Sequence, residues 1–330
     1  MNPSSSRRAT LLVAAFNLSV DAVTAEVLAA LHERDIEAIL LKGPTIGQLL
    51  TGRVGRGYVD TDLLVPPQQL EAAERVLRER NFSIPLSAED QIDKVRPPGR
   101  HWIRSSDGAN VDLHETLPGV GVPPAQAWAL LSGATRTRRV GGTEVRVLGP
   151  AAAVLHLALH GAWHGLREQK PRDDVGSAVR EVDEDVWRAA TSLARQLHAE
   201  PAFVAGLQLV PGGSALAREL GLDLVSPGIE VAARAGRRGA LAFARLQEAV
   251  GPRAKLRVLG SRLAPSPAYM RLHFPIARRH LPGLLAAYVW RVLTVTRDVV
   301  PAWRNWRALR RSAGEAVTGE PPGKRPASGR

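Results

Sequence analysis

The sequence predicts an α+β fold, in which a small mixed β-sheet with flanking helices is followed by a mostly helical second domain. Before Pro150, short apolar or alternating segments of strand character lie between segments whose apolar residues recur at helical spacing. After Pro150, strand signals nearly vanish and helical segments follow one another. We therefore expect an α/β domain at 1–150, a helical domain at 151–262, a basic helical extension at 263–314 and a disordered tail at 315–330.

The α/β part begins with helix, strand, helix, strand, helix. Residues 21–34 have apolar side chains at helical spacing, and 36–41 form the short apolar run of a buried strand. Gly43 and Pro44 end that strand. The predicted elements that follow are a helix at 45–50, an alternating strand at 58–65 and an amphipathic helix at 68–80.

Two β-hairpins complete the predicted sheet. Strands at 101–105 and 110–115 flank a loop that contains glycine, and strands at 136–140 and 143–148 flank Gly141-Gly142. Helices are predicted after Pro150 at 151–166, 175–180, 185–198, 201–209 and 214–220. Beyond a linker at 264–267, we expect basic helices within 268–311 that are interrupted at Pro282 and Pro301.

Composition restricts the class of protein. The chain has 330 residues, a net charge of +12 and no cysteine, so disulfides and thiolate metal sites are excluded. No run of 18 or more residues stays apolar and uncharged, so we expect no transmembrane segment. The apolar run at 11–16 is too short for a signal peptide, and we take the cytoplasm as the default location.

The positive charge is concentrated near the C-terminus. Residues 271–330 carry 12 Lys or Arg and three acidic residues, a balance of +9, which leaves +3 for residues 1–270. This asymmetry favours an acidic partner for the basic tail, either nucleic acid or a lipid surface, with a solvated arginine-rich surface as the alternative. Residues 281–296 suit either packing onto the second domain or an amphipathic helix on a membrane. Trp290, Trp303 and Trp306 suit either helix packing or base stacking.

Asp60 and Asp62 are the first candidates for chemistry. On a strand, this spacing puts both carboxylates on one face, roughly 7 Å apart at the backbone. Such a pair can share divalent cations that clamp the oxygens of a phosphoryl displacement. Mg2+ suits it because that ion prefers carboxylate oxygens together with substrate phosphates. The alternative is a solvated strand end without a metal.

Other residues could complete such a site. Asp112 lies on a later predicted strand and could be a third ligand or a proton acceptor if the two strands are neighbours. His114 shares its face and could contact a substrate. Lys42, Gly43 and Thr45 lie where a strand ends and a helix begins, which is a favourable place for phosphate. Arg56 offers a planar fork for phosphate oxygens, or an ion pair with one of the aspartates.

Histidines recur every fourth residue, at His156, His160 and His164, and so share a helix face. His160 and His164 have zinc-ligand spacing, but the alternatives are a substrate cleft and simple packing. Asp173 and Asp174 are interpreted as N-cap and first-turn residues of the following helix, with a role for Asp174 in an acceptor pocket as the alternative.

In order and spacing, several of these segments resemble the uncharacterised nucleotidyltransferase family of the polymerase-β-like superfamily. They are Leu40-Leu-Lys-Gly43, Arg56-x-x-x-Asp60-x-Asp62-Leu-Leu-Val65 and Val111-Asp-Leu-His114. Residues 155–164 with Asp173-Asp174 are similar to the family's second region. The resemblance covers about residues 25–260, and Arg-x-x-x-Asp-x-Asp is its most specific part.

The resemblance implies a nucleotidyltransferase with metal-binding aspartates at Asp60, Asp62 and Asp112. It implies Mg2+ or Mn2+ as cofactor and an NTP donor, from which a nucleoside monophosphate passes to an acceptor while pyrophosphate is released. One departure from the superfamily is Pro44, which lacks the N–H that a Gly or Ser would offer to phosphate.

The sequence leaves the acceptor unidentified, with a small molecule or peptide favoured over nucleic acid. His114, His160, His164 and Asp174 are the candidates for an acceptor pocket. Two other functions stay open. One is a catalytically degenerate protein that binds a nucleotide or a partner without turnover, and the other is a nucleic-acid-directed enzyme that uses the basic C-terminal helices.

Overall fold

Seven strands form one mixed β-sheet in the computed structural model, which describes residues 3–50, 57–85, 99–165, 168–223, 246, 251–278 and 280–318. The strands are β1 Ile39–Leu40, β2 Thr61–Leu64, β3 Phe82–Ser83, β4 Gly99–Arg104, β5 Ala109–His114, β6 Thr135–Val140 and β7 Thr143–Leu148. Their order in the sheet is β3-β4-β5-β2-β1-β7-β6. β2 runs parallel to β5 and β1 to β7, whereas the other neighbours are antiparallel. The predicted mixed sheet with flanking helices is confirmed.

The chain divides into two compact units. Unit 1 comprises Met1–Glu89, Lys94–Trp163 and Gln169–Asp223, and unit 2 comprises Asp90–Asp93, His164–Glu168 and Leu224–Arg330. The division into domains at residues 150, 262 and 314 stays a prediction. The first nine helices are α1 Pro3–His32, α2 Pro44–Leu49, α3 Leu70–Glu79, α4 Pro124–Gly133, α5 Pro150–His164, α6 Gln169–Glu181, α7 Glu184–Gln196, α8 Glu200–Leu207 and α9 Gly213–Glu219. A 3-10 turn, Pro67–Gln69, precedes α3.

Helices α1 and α3 cover one face of the sheet. Val27 and Leu31 of α1 share a buried core with Leu63 of β2 and Val111 of β5. Thr24 of α1 also places its Oγ1 2.8 Å from Thr61 Oγ1. Because strand side chains alternate, residues 61 and 63 face these helices while residues 62 and 64 face the opposite side. The predicted aspartate strand is therefore anchored on its rear face.

Helix α1 is longer than the sequence predicted, since it begins at Pro3 rather than near residue 21. Among the described residues, its segment Leu11–His32 is the one helix that is long and apolar enough to cross a membrane by length and composition, with a mean hydropathy of 1.7. The C-terminal half of α1 packs on the sheet, as a core helix does. Its N-terminal half exposes apolar side chains, including Phe16 and Leu18.

The described part of unit 2 contains α10 Pro252–Leu263, α11 Pro267–His273, a 3-10 turn Pro275–Arg278 and α12 Leu281–Thr318. Met270, Ala277, Leu284 and Ala287 form its buried cluster. Ser266 caps α11 by accepting a hydrogen bond of 3.1 Å from the Tyr269 N–H.

Several predicted boundaries were wrong. The helix predicted at 175–180 begins at Gln169, so Asp173 and Asp174 lie in its second turn and not at its N-cap. The interruption predicted at Pro301 was wrong, since α12 runs from Leu281 to Thr318. Proline removes only one N–H donor from the helix, and the turns on either side keep their hydrogen bonds. α12 extends to Thr318, and residues 319–330 lie outside the described residues, so the disordered tail at 315–330 stays a prediction.

Candidate active site

The site is built on β2 and β5, which lie side by side and parallel. Their Cα register pairs Asp62 with Asp112 and Leu64 with His114. Residues two apart on a strand share a face, so Asp62, Asp112 and His114 all face away from α1 and α3. The strand adjacency on which the role of Asp112 depends is therefore present.

Asp62 is the central group of the site. Its side chain is 1% exposed, and its Oδ1 accepts a hydrogen bond of 2.9 Å from Lys42 Nζ. His114 Nε2 lies 3.3 Å from the same oxygen. Burial by itself would raise the pKa of the Asp62 carboxyl, but the Lys42 charge and the His114 hydrogen bond outweigh it and hold that pKa far below its usual range. Asp62 is therefore an ionised carboxylate buried beside one cation.

Asp60 lies just before β2, and the pKa of its carboxyl is shifted in the direction opposite to that of Asp62. Burial and then the nearby Asp62 charge raise the pKa of the Asp60 carboxyl, and Asp112 adds to that effect. Lys42 and Lys170 oppose it without cancelling it. Three acidic groups thus repel one another across a small space, and an added cation would relieve the repulsion.

The donor set fits a divalent metal ion. Asp62, Asp112 and His114 each offer one ligand atom, and these atoms lie within 4.8 Å of one another. Asp62 Oδ2 is buried and has no hydrogen-bond partner among the described residues. Carboxylate oxygens and an imidazole nitrogen are both ordinary ligands of divalent metal ions in proteins.

Lys42 connects two elements that are distant in sequence. Besides Asp62, its Nζ lies 3.0 Å from Nε2 of His160 on α5. It is followed by Gly43, whose φ of +81° disfavours any residue with a side chain. The predicted phosphate contacts of Lys42 and Gly43 stay predictions. The side chain of Thr45 and the whole of Arg56 lie outside the described residues.

His101 is a site residue that the sequence reasoning missed. β4 pairs with β5 so that His101 lies opposite Asp112, and its Nδ1 is 2.6 Å from Asp112 Oδ1. The hydrogen bond to Asp112 raises the pKa of His101 against the effect of its partial burial. The hairpin signal at 101–115 contained this pairing, but its register depends on the turn at Gly108, where φ is +74°.

Gly99 was missed as well. It lies opposite His114 across β4 and β5, and a Cβ there would come within 2.5 Å of His114 Cε1. Only glycine leaves room for the imidazole in this position. The packing of one strand against another therefore fixes the ring that contacts Asp62.

The α5 histidines differ in environment. His156 is fully buried, which together with the Lys42 charge lowers the pKa of its imidazole to about 3, and neither ring nitrogen has a hydrogen-bond partner among the described residues. Its ring stacks on His160 with centroids 5.9 Å apart. His164 Nδ1 lies 2.8 Å from Glu168 Oε1. Within the described ranges, the metal-type cluster is the one at Asp62, and the zinc alternative for His160 and His164 stays a prediction.

Asp174 is buried within α6, and Lys170 in the first turn of the same helix acts electrostatically on Asp60. The acceptor-pocket roles of His114, His160, His164 and Asp174 stay predictions.

Comparison with solved structures finds nucleotidyltransferases. Two structures of the antibiotic-resistance factor ANT(2'')-Ia, one in solution and one a crystal structure in complex with adenylyl-2''-tobramycin, are each 17% identical with a TM-score of 0.39. They cover 55% and 54% of this chain, and 94% and 98% of their own. An antigenic nucleotidyltransferase-like protein from Paracoccidioides brasiliensis is 18% identical over 56% of this chain and 92% of its own, with a TM-score of 0.33.

No curated protein matches the chain in sequence. The family model described as uncharacterised nucleotidyltransferase matches residues 4–211, which include every strand of the sheet and the α5 histidines. That match confirms the resemblance found in the motifs and covers more than half of the chain. The protein belongs to the uncharacterised nucleotidyltransferase family, and is by that membership a nucleotidyltransferase.

Proposed function

We propose that this protein transfers a nucleoside monophosphate from an NTP to a hydroxyl-type acceptor, with Mg2+ or Mn2+ as cofactor and with release of pyrophosphate. The observation that carries the proposal is the alignment of Asp62 and Asp112 on adjacent parallel strands, with Asp60 just before the first strand. Family membership supplies the reaction class, and the carboxylates supply the means of holding the cation.

In this proposal, Asp60, Asp62 and Asp112 hold the metal, and His114 contributes or orients a ligand. When bound, the metal neutralises charge on the phosphates of the donor. The buried, ionised state of Asp62 suits it for this task, since the carboxylate needs no deprotonation before it binds a cation. His101 keeps Asp112 oriented through the bond of 2.6 Å between their side chains.

Among the described residues, Lys42 provides the positive charge nearest to Asp62. We propose that it contacts the phosphates of the NTP, together with Gly43, Thr45 and Arg56. A lysine is suited to this exchange of partners because its ammonium is a point charge on a flexible stem.

The acceptor would bind beside α5, where His160 and the neighbouring His164 are candidates, with His114 and Asp174. We favour a small molecule or a peptide over nucleic acid. A cytoplasmic location, where NTP and Mg2+ are available, belongs to the same proposal.

Two observations favour a second function: Lys42 Nζ already occupies Asp62 Oδ1, and Pro44 offers no N–H to a phosphate. A protein of this kind could bind a nucleotide or a partner without turnover. Such a protein has the same fold as the proposed enzyme. The two differ in whether a divalent cation displaces Lys42 from Asp62.

The test is thermal unfolding with each of the four NTPs, with and without Mg2+, on the wild type and on Asp62→Asn. At a nucleotide concentration of about 100 times Kd, binding should add about 2.7 kcal/mol and raise Tm by several degrees. The exposed Asp223→Asn is the matched control and should behave as the wild type. No metal-dependent shift with any NTP would refute the donor site.

Turnover is measured separately, as pyrophosphate release with panels of hydroxyl-bearing small molecules and peptides. Release that depends on both NTP and acceptor supports the enzyme. A nucleotide-dependent shift without release on any acceptor would favour the non-catalytic binding protein.

A further inference from the structure

Helix α12 carries an apolar surface that no described residue of unit 2 covers. We call it the apolar stripe; its residues are Leu281, Leu285, Val289, Leu293, Val300 and Trp303. Their exposed fractions lie between 40% and 67%. At about 100° per residue, all six fall within an arc of about 120° on the helix surface. The stripe is therefore a continuous face and not a set of scattered apolar residues.

The opposite face of α12 is already used. Leu284 and Ala287 pack on Met270 and Ala277 in the buried cluster of unit 2. Tyr288 donates its hydroxyl to the Pro265 carbonyl at 2.7 Å. The internal contacts of unit 2 thus fix the rotation of α12 about its own axis, and this rotation leaves the apolar stripe exposed.

Arginines border the apolar stripe. Arg297 and Arg304 are exposed and project within about 40° of its edge at helical spacing. The guanidinium of Arg307 lies over the ring of Trp303, 4.8 Å from its centroid. Trp290 is also exposed. A long apolar face edged by arginine and tryptophan is the pattern of helices that lie in the interface of a bilayer.

We propose that α12 docks lengthwise on an anionic phospholipid surface, with the apolar stripe against the acyl chains and the arginines at the phosphates. The helix does not meet the length-and-hydropathy test for a spanning segment, among the described residues, so it would lie on the membrane and not cross it. The charge of +9 over residues 271–330 complements an anionic surface.

Two other occupants fit less well. A second copy of the chain would bring the same bordering arginines together, because a twofold contact pairs identical surfaces. Nucleic acid would use the arginines but would leave the aliphatic side chains of Leu285, Val289 and Leu293 without a partner. An anionic membrane satisfies both the charge and the apolar area.

The experiment is flotation of the full-length protein with phosphatidylcholine vesicles that contain or lack phosphatidylglycerol. We expect binding to the anionic vesicles that weakens by at least about tenfold without phosphatidylglycerol, and that falls with added salt. Leu285→Glu/Leu293→Glu should lower the partition coefficient by about tenfold or more, because it puts charge into the acyl boundary. Arg297→Gln/Arg304→Gln should lower it by about fivefold for each arginine removed.

Leu18→Glu is the matched control, since Leu18 is 69% exposed on α1, in unit 1. It should bind vesicles as the wild type does. Circular dichroism should show all variants folded, because the substituted side chains are exposed. This readout does not depend on nucleotidyl transfer, so it stands or fails separately from the proposed function.

Failure of the wild type to float with anionic vesicles overturns the proposal. So does loss of flotation in Leu18→Glu without loss in the α12 variants. A dimer in solution that Leu285→Glu/Leu293→Glu dissociates, without vesicle binding, would assign the stripe to a second copy. Salt-sensitive binding of RNA without vesicle binding would assign the arginines to nucleic acid, and both results overturn the membrane proposal.

Discussion

Substitution of Gly99 by alanine tests how the sheet positions the candidate active site. The added Cβ would lie 2.5 Å from His114 Cε1 and 2.8 Å from both ring nitrogens, whereas ordinary contact begins near 3.4 Å. The imidazole must therefore move by about 0.9 Å, or the two strands must separate. Overpacking of this kind costs about 1–3 kcal/mol of unfolding free energy.

The same movement disturbs the contact between His114 Nε2 and Asp62 Oδ1, which at 3.3 Å is already long. Loss of a group that orients a metal ligand lowers metal affinity by about 10–100-fold. We therefore expect Gly99→Ala to weaken the Mg2+-dependent thermal shift with NTP, as well as to lower stability in urea.

A double-mutant cycle with His114→Ala isolates the cause. Removal of the ring makes room for the new methyl, so Gly99→Ala should cost far less stability in that background. Gly133→Ala is the matched control, because a Cβ there meets nothing within 4 Å. The reasoning is refuted if Gly99→Ala is as harmless as Gly133→Ala, or if its penalty persists without the His114 ring.

Three further predictions concern the surroundings of the site. Lys42→Met should lower the unfolding free energy measured in urea by about 3–5 kcal/mol, because Asp62 keeps a buried charge without its cation. Added Mg2+ should restore part of this loss. Unchanged stability would contradict the importance of the Lys42–Asp62 pair. The pKa of His156 is lowered to about 3, so its neutral form stabilises the fold above the unfolded-state pKa of about 6.5, and this stability falls as the pH drops toward 3. At pH 5 the unfolding free energy should be about 2 kcal/mol lower than at pH 7 because of this group. In urea titrations, the stability of His156→Leu should therefore decline less steeply over that range than the stability of the wild type. A decline as steep as that of the wild type would contradict a buried neutral imidazole. Gly206→Ala would push a methyl into the Ala158 carbonyl, where α5 and α8 meet. It should lower the unfolding free energy in urea by about 1–3 kcal/mol. A neutral result would show that the two helices can separate.

Local patterns in the sequence were sufficient to predict which side chains share a face of a strand. Alternation placed Asp60 and Asp62 on one side of their strand, and Asp112 and His114 on one side of theirs. The parallel pairing of the two strands could only be stated as a condition, because nothing in a single strand specifies its neighbour. The structure supplies that pairing and puts Asp62 level with Asp112.

Helix ends were less predictable than helix positions. The helix at 169–181 begins before its first strongly apolar stretch, since Pro171 is tolerated in a first turn and the charged residues after it continue the same helix. Likewise α12 continues through Pro301, where local chemistry predicts an interruption but the turns on either side remain bonded.

Charge balance at the site depends on contacts between distant parts of the chain. From the sequence, the expected partners of the carboxylates were divalent cations or Arg56, and Lys42 was expected beside a phosphate. In the structure, Asp62 is 20 residues from Lys42 in sequence and His160 is 118 residues from it, yet Lys42 Nζ lies within hydrogen-bond distance of both. The lysine keeps Asp62 ionised inside the protein, which a lone buried carboxyl could not sustain. Lys42 therefore has a structural role in this chain, because it offsets the buried charge of Asp62. The buried aspartate stays charged, and so stays competent to take a cation from solvent.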